Sequence, residues 1–431
     1  MSSLENLFHL QEHRSSVRTE SIGGLTTFLA MAYITVVNPS ILSEAGMDFG
    51  AVFVATCIAA AFGSIVMGLH ANYPIAQAPG MGQNAFFTFG VVLGMGHSWQ
   101  AALGAVFVSG VIFVIMSVTP FREWLVNSIP RNLKLGMAAG IGLFLGFIAL
   151  RNAGIVVGND ATLVGLGELV SFQPIVCILG FVMIAALSAR KVTGAVIIGI
   201  LFATVLGWLG GRTEFLGIVS MPPSPAPVLL QLDIAGALQL SMVTAILSML
   251  IVDVFDTAGT LVGVATRAGL LGEDGKLPRL RSALLSDSTA TVVGALAGTS
   301  STTSYIESAA GVEAGGRTGL TSVVCGLLFL ACLFFAPLAQ SVPAYATASA
   351  LLFVACLMAR SLADIDWHDV TESAPAVVAA IAMPLSFSIA EGIGLGFISY
   401  VLIKIVSGKT ADCSAASYLI ALIFALKYVF L

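Results

Sequence analysis

The chain has 431 residues, of which 58% are hydrophobic and only 10% are charged, and its formal net charge is −5. A soluble domain carries roughly 25% charged residues, so this chain has too few charges to cover a surface that faces water. The composition excludes a soluble enzyme and a nucleic-acid-binding protein. It predicts an all-α polytopic membrane protein that is embedded in the lipid bilayer.

Apolar runs in chain order predict about fourteen transmembrane segments, because a spanning helix needs about 20 mainly apolar residues. The predicted segments are 22–43, 51–69, 74–94, 98–118, 134–152, 170–188, 192–210, 235–265, 283–298, 302–318, 319–341, 344–361, 374–389 and 390–407. Pro384, Glu391 and Gly392 interrupt the last two. A further apolar run, 413–431, could span the membrane, lie at its interface or pack alongside.

The distribution of Lys and Arg predicts the orientation, since cytoplasmic loops are enriched in these residues. With a cytoplasmic N-terminus, the inside ends of the segments hold Arg14, Arg18, Arg122, Arg131, Lys134, Arg190, Lys191, Arg267, Lys276, Arg279, Arg281, Arg317, Arg360 and Lys409. The outside ends then hold only Arg151 and Arg212. The polar stretch 267–281 is therefore expected to be a cytoplasmic loop.

Two of the predicted segments are poor helices. The third contains Pro74, Pro79, Gly80 and Gly82, and the tenth is the Ser- and Thr-rich run 298–316. Proline breaks the helical hydrogen-bond ladder, and open backbone at membrane depth is tolerated only where it is buried in protein or lines a cavity. The two segments are seven apart, which predicts inverted repeats with a binding site between them. The alternative is two re-entrant kinks without a substrate role.

Acidic residues inside predicted spans are the best candidates for function, because charge at membrane depth is costly. Asp253 and Asp256 lie within segment eight, and Glu307 lies within segment ten. On a helix, Asp256 shares one face with Gly259, Thr260 and Gly263. The structural alternatives are a buried acid that bonds a neighbouring helix for the two aspartates and a helix cap for Glu307.

The remaining polar and aromatic candidates lie in segment three. Asn84 offers an amide that can both donate and accept hydrogen bonds, and Phe86 could stack on a planar ligand or simply pack. None of the five histidines lies near the middle of a predicted span, so a carboxylate would have to carry any coupled proton. The pattern indicates neither a metal site nor a cofactor.

Four long stretches carry a family resemblance: TTFLAMAYITVVNPSIL at 26–42, APGMGQNAFF at 78–87, FDTAGTLVGVATRAGL at 255–270 and GTSSTTSYIESAAGVEAGGRTGLT at 298–321. They resemble the azaguanine-type purine permeases of the nucleobase–cation symporter-2 family, and the resemblance extends over essentially the whole chain. It implies fourteen segments in two inverted seven-segment repeats, with short strands in segments three and ten.

The resemblance also implies a division into two domains. A core domain would comprise segments one to four (20–120) and eight to eleven (235–342). A gate domain would comprise segments five to seven (130–212) and twelve to fourteen (343–410). The substrate would sit between the strands and half-helices of segments three and ten, and the core would move against the gate.

Site residues follow from the same resemblance. Asn84, Asp256 and Glu307 match the functional polar residues of the family, and Asp256 and Glu307 are the proton-coupling candidates. The further substrate-binding candidates are Gly82, Phe86, Thr260 and Ser308. The uracil permeases carry a histidine where this chain has Thr260, so proton handling by histidine does not carry over. The xanthine–uric acid branch has Gln-Asn where this chain has Glu307-Ser308, which argues against a xanthine specialist.

The resulting hypothesis is proton symport of a purine nucleobase across the cell membrane, which is the inner membrane if the source is bacterial. Guanine and hypoxanthine are favoured, and adenine is the alternative. An anion transporter of related architecture is a weaker alternative, since acids in segments eight and ten disfavour an anion site. An intramembrane protease lacks its motifs, and a passive channel would not concentrate its solute. A homodimer is left open.

Overall fold

The computed structural model describes residues 3–119, 129–270 and 277–430, and these residues form fourteen membrane segments in the predicted order. Nine of them are helices long and apolar enough to span a bilayer within this part of the chain. They are Val17–Ser43 (segment one), Phe49–Ala71 (two), Trp99–Val118 (four), Arg131–Asn152 (five), Phe172–Ala189 (six), Leu240–Ala268 (eight), Gly319–Gln340 (eleven), Ala344–Asp364 (twelve) and Ile389–Val406 (fourteen).

The other five segments are shorter, more polar or broken. Segments seven and thirteen are the shorter apolar helices Ala195–Leu209 and Val370–Ser386, and segment nine is the helix Leu280–Ala297. Segment three consists of strand β1 (Gln77–Pro79), the helix Met81–Ala85 and the π-helical stretch Phe86–Gly94. Segment ten consists of strand β4 (Thr302–Ser304) and the helix Ser308–Glu313.

The predicted fold class is therefore confirmed: a helical multi-pass membrane protein with inverted seven-segment repeats and a short strand in each broken segment. Strands β1 and β4 pair antiparallel, with Ala78 opposite Thr303. Arg122 and Lys276, which the orientation argument uses, lie outside the described residues.

Close helix packing divides the segments into two groups. Segment five packs against segments twelve and thirteen, whereas segment eleven packs against one and two, and segment nine against two and four. Glycines allow these approaches: a β-carbon at Gly136 would lie 2.4 Å from the carbonyl oxygen of Ala376, and one at Gly142 would lie 2.6 Å from Met358 Cβ. The division into core and gate domains, with its boundaries and the relative movement of the domains, stays a prediction.

The structure corrects one local expectation. The chain breaks between segments thirteen and fourteen at Phe387, whose φ of 56° is left-handed, and at Ser388, which caps segment fourteen by accepting from the Glu391 backbone N–H at 3.3 Å. Pro384 lies inside segment thirteen, and Glu391 and Gly392 lie inside segment fourteen. The turn is therefore made by the left-handed Phe387 and the capping Ser388 rather than by proline or glycine.

A second pair of strands forms a hairpin that the sequence did not predict. Strands β2 (Val156–Asn159) and β3 (Leu163–Leu166) pair antiparallel in the link between segments five and six. The side chain of Asn159 accepts hydrogen bonds from the backbone N–H groups of Ala161 and Thr162 at 2.9 and 3.1 Å, which closes the turn. The sequence feature that could have predicted this hairpin is the turn-forming Asn159-Asp160 pair, which lies between two stretches with β-branched residues.

The last apolar run forms the helix Ala415–Phe430, which packs alongside segment fourteen. Lys427 forms an ion pair with Glu391, and Tyr428 donates a hydrogen bond to the same carboxylate. At the other end of segment fourteen, Lys404 lies 3.0 Å from Asp412, which precedes the final helix. The final helix therefore runs antiparallel to segment fourteen along most of its length.

Candidate substrate and coupling site

The strands of segments three and ten meet in the interior and satisfy each other's backbone groups. Next to the pairing of β1 and β4, the Gly80 N–H donates to the Ser301 carbonyl at 2.9 Å, and the Tyr305 N–H donates to the Ala76 carbonyl at 3.0 Å. Backbone that leaves a helix at membrane depth needs such partners. Direct backbone hydrogen bonds at the crossing therefore hold the two broken segments together.

A buried aspartate that was not among the predicted site residues anchors this crossing. The Asp287 carboxylate accepts hydrogen bonds from Gln77 Nε2 at 3.0 Å, Thr257 Oγ1 at 2.6 Å and Ser304 Oγ at 2.8 Å. It thereby joins segments three, eight, nine and ten. The sequence feature that could have identified Asp287 is the presence of an acid among Ser and Thr residues in segment nine. The predicted boundary of that segment, however, placed Asp287 close to the membrane interface.

Glu307 occupies the N-cap position of the helix Ser308–Glu313, but its side chain makes no capping hydrogen bond to that helix in the described residues. Instead, its carboxylate accepts a hydrogen bond from the Tyr33 hydroxyl at 2.6 Å. Tyr33 lies at the break between the two helices of segment one, Val17–Met31 and Ile34–Ser43. The structure thus directs the Glu307 carboxylate away from the cap and toward a neighbouring segment.

A cavity of about 470 Å³ is lined by Glu307 and Tyr33 on one side and by Lys191 and Thr193 on the other. Lys191 and Thr193 belong to the link between segments six and seven. Glu313, at the other end of the short helix, also lines this cavity. Glu307 is therefore accessible from a cleft between the two groups of segments.

A larger cavity of about 990 Å³ gives access to Asp256. Gly82 of segment three, Thr260 of segment eight and Ile306 of segment ten contribute to its lining, and Arg131 and Lys134 of segment five form part of the opposite wall. Asp256 is exposed within this cavity. A carboxylate is thus presented to a mostly apolar space large enough for a small planar solute.

Three predicted substrate-binding residues lie outside the lining of both cavities. Asn84 is fully buried and accepts a hydrogen bond from Ser300, whereas Phe86 is packed against Gly90. The Ser308 hydroxyl accepts a hydrogen bond from the Ala76 N–H at 3.0 Å. In this conformation all three support the broken segments, so their contact with substrate stays a prediction.

Asp253 is also buried rather than cavity-lining, with 1% of its surface exposed. One of its oxygens accepts a hydrogen bond from Gln83 at 3.3 Å, and the other has no hydrogen-bond partner among the described residues. Within those residues, no cluster of His, Cys, Asp and Glu could hold a metal ion. The chemistry of the site is that of two accessible carboxylates, Asp256 in the larger cavity and Glu307 in the smaller one.

This combination of fold and site defines a multi-pass membrane transporter: two inverted repeats cross at the interior, and ionisable groups at the crossing are accessible through cavities. The Permease family (Xan_ur_permease) model matches residues 18–395, and the chain belongs to that family. The resemblance to the nucleobase–cation symporter-2 permeases is thereby confirmed, and the chain is a transporter rather than an enzyme.

Relatives match along almost their whole length. The adenine permease AdeP of Escherichia coli strain K12 is 51% identical, and the match covers 99% of this chain and 96% of AdeP. The guanine/hypoxanthine permease PbuG of Bacillus subtilis strain 168 is 46% identical over 99% of this chain and 100% of PbuG.

A solved structure supports the fold alone. The transmembrane domain of the cyanobacterial bicarbonate transporter BicA superposes with a TM-score of 0.69 at 16% identity, covering 88% of this chain and 97% of that domain.

Proposed function

We propose that this permease imports purine nucleobases by proton symport, as a protein of the cell membrane with a cytoplasmic N-terminus. The named substrates of AdeP and PbuG support a purine, since both relatives match over nearly their whole length. The observation that carries the proposal is the pair of acids at the crossing: Asp256 is accessible from the larger cavity and Glu307 from the smaller one.

The two acids can divide binding and coupling between them. A carboxylate forms strong charge-assisted hydrogen bonds with N–H donors of a base, and it can also carry a proton from one side of the membrane to the other. Asp256 lines the cavity that is large enough for a base, while Glu307 lies 2.6 Å from the Tyr33 hydroxyl beside the smaller cavity. We assign base binding first to Asp256 and proton coupling to both acids, with core moving against gate.

Guanine and hypoxanthine are the substrates that the sequence analysis favours. Their N1–H group is a donor, and guanine adds a neighbouring amino group, so an ionised carboxylate can accept from this edge. If a guanine-type base is bound in this way, its affinity should rise with pH until the carboxyl group is fully ionised.

Adenine is the second candidate, and the higher identity to AdeP than to PbuG supports it. Its corresponding edge presents an amino donor beside the N1 acceptor, and a protonated carboxyl group can donate to one atom while accepting from the other. Adenine affinity should therefore fall as pH rises, which is opposite to the guanine case.

Uptake into proteoliposomes tests the proposal. Radiolabelled adenine, guanine and hypoxanthine should accumulate above the external concentration only when an inward proton gradient is applied. The affinity for each base, measured across a pH series, then shows whether the carboxyl group binds that base in its ionised or its protonated form. Accumulation that is independent of the proton gradient would rule out proton symport, and failure to bind any of the three bases would rule out purine transport.

Asp256→Asn tests the coupling role of that acid, because asparagine preserves size and hydrogen bonding but cannot titrate. The variant should lose concentrative uptake while remaining folded. Its control is Asp160→Asn, in the turn between β2 and β3. Normal accumulation by Asp256→Asn, with an unchanged pH dependence, would show that Asp256 is not a proton site.

A further inference from the structure

Gly259 is a glycine in the middle of segment eight whose presence is explained by neither packing nor backbone conformation. No described atom outside the adjoining turns of its own helix lies within 4 Å of the position that a β-carbon would occupy there, and its φ is not left-handed. Glycine weakens a helix relative to alanine. The fold alone would therefore be better served by alanine at this position.

Other helical glycines in the protein have an evident packing role. A β-carbon at Gly136 would lie 2.4 Å from the Ala376 carbonyl oxygen, and one at Gly68 would lie 2.4 Å from the Gly319 carbonyl oxygen. These glycines let two segments approach closely. Gly259 instead faces the larger cavity, so the space above it is left open by the described protein.

The surroundings of Gly259 form a flat strip beside a carboxylate. Phe255, Gly259 and Gly263 follow one another at intervals of four residues, so they share one stripe of the helix. All three line the larger cavity, as do Asp256 and Thr260 on the adjacent stripe. Phe255 is the only aromatic residue among the described residues that line this cavity, and Lys134 Nζ lies 5.1 Å from the centroid of its ring.

We propose that Gly259 forms the floor of the substrate site, where a planar nucleobase lies flat against bare helix backbone. The edge of the base would face Asp256 and Thr260, and Phe255 would bound the site one turn away. This inference rests on the proposed purine transport. A methyl group at position 259 would lift the base from the helix, and a gap of about 0.5–1 Å already forfeits a quarter to a half of the dispersion attraction.

Substitution of Gly259 separates binding from folding, because a β-carbon at this position enters open space. Gly259→Ala should raise the Kd for the transported base about tenfold, which is about 1.4 kcal/mol, and Gly259→Val should bring binding below detection.

The measurements are equilibrium binding of radiolabelled adenine, guanine and hypoxanthine to purified full-length protein, and thermal unfolding of each variant. Gly158→Ala, in the hairpin and also without a described atom within 4 Å of its β-carbon position, controls for a general effect of the substitution. The melting temperature of Gly259→Ala should equal or exceed that of the wild type, as expected for glycine replaced in a helix.

Two results would overturn the inference while leaving purine transport intact. In the first, the wild type binds a purine and Gly259→Ala binds it with unchanged affinity. In the second, Gly259→Ala loses affinity and melts at a lower temperature, which would indicate a packing role. If the wild type bound none of the three bases, the proposed function itself would fail. Gly259→Ala decides the question even if the valine variant does not fold.

Discussion

Tyr33 and Glu307 are 274 positions apart in the chain, yet the tyrosine hydroxyl donates a hydrogen bond of 2.6 Å to the glutamate carboxylate. The bond joins the break in segment one to the short helix of segment ten. Tyr33 is 1% exposed, whereas the Glu307 carboxylate is accessible from the smaller cavity. At the residue scale, this contact fixes the position of an acid that would otherwise be free to cap its own helix.

Removing the Tyr33 hydroxyl should therefore weaken transport without unfolding the protein. Hydrogen bonds to charged groups contribute about 1.5–3 kcal/mol, so Tyr33→Phe should lower purine uptake by about tenfold or more. Glu307→Gln should retain weak binding, and Glu307→Ala should abolish concentrative uptake. Tyr418→Phe, on the exposed side of the final helix, provides the control. Wild-type uptake by Tyr33→Phe would show that the bond has no role in transport.

At the element scale, the final helix Ala415–Phe430 depends on segment fourteen for its place. The helix has 16 residues, so its length is about 24 Å at a rise of about 1.5 Å per residue. Ala416, Ile420 and Phe424 are buried at intervals of four residues. Phe424 covers Gly394, where a β-carbon would lie 2.4 Å from Phe424 Cδ1. Because Gly394 has no side chain, segment fourteen leaves the space that the Phe424 ring of the final helix occupies.

The ion pair between Lys427 and Glu391 should contribute measurably to this docking. Their side chains are only 17% and 26% exposed. Leaving one partly buried charge without its partner costs about 1–3 kcal/mol, so Glu391→Ala should lower the melting temperature. Lys427→Ala together with Glu391→Ala should destabilise the protein by less than the sum of the two single changes. Strict additivity in thermal unfolding would show that the pair contributes no coupling energy.

At the scale of the whole molecule, both cavities open between the same two groups of segments. Arg131 and Lys134 line the larger cavity, and Lys191 lines the smaller one. The distribution of Lys and Arg along the chain predicts that all three lie at cytoplasmic ends, because these residues concentrate on that side. On the proposed orientation, the structure is therefore an inward-facing conformation.

Labelling from outside intact cells checks this orientation. In a background with Cys332, Cys356 and Cys413 replaced by serine, Thr162→Cys in the hairpin should react with an impermeant maleimide. Arg281→Cys should react only after the membrane is permeabilised. Both positions are exposed, so accessibility within the protein does not limit either reaction. The reverse labelling pattern would place the N-terminus outside.

The sequence determined the class, the number of segments and the two broken spans, because each depends on local composition. Apolar runs are needed to cross a bilayer, and the prolines of segment three and the Ser and Thr residues of segment ten cannot form continuous helices there. Asp256 and Glu307 could be identified for the same reason, since an acid inside an apolar run is conspicuous without any knowledge of its neighbours.

Only the tertiary structure decided how those residues are arranged. It placed Asp256 and Glu307 on different cavities, buried Asn84, Phe86 and Ser308 behind them, and made Asp287 the anchor of the crossing. It also showed that packing fills the space beside Gly136 but leaves the space beside Gly259 open. These features depend on contacts between segments that are far apart in the chain, and the hydrophobic pattern of a single segment carries no information about its neighbours.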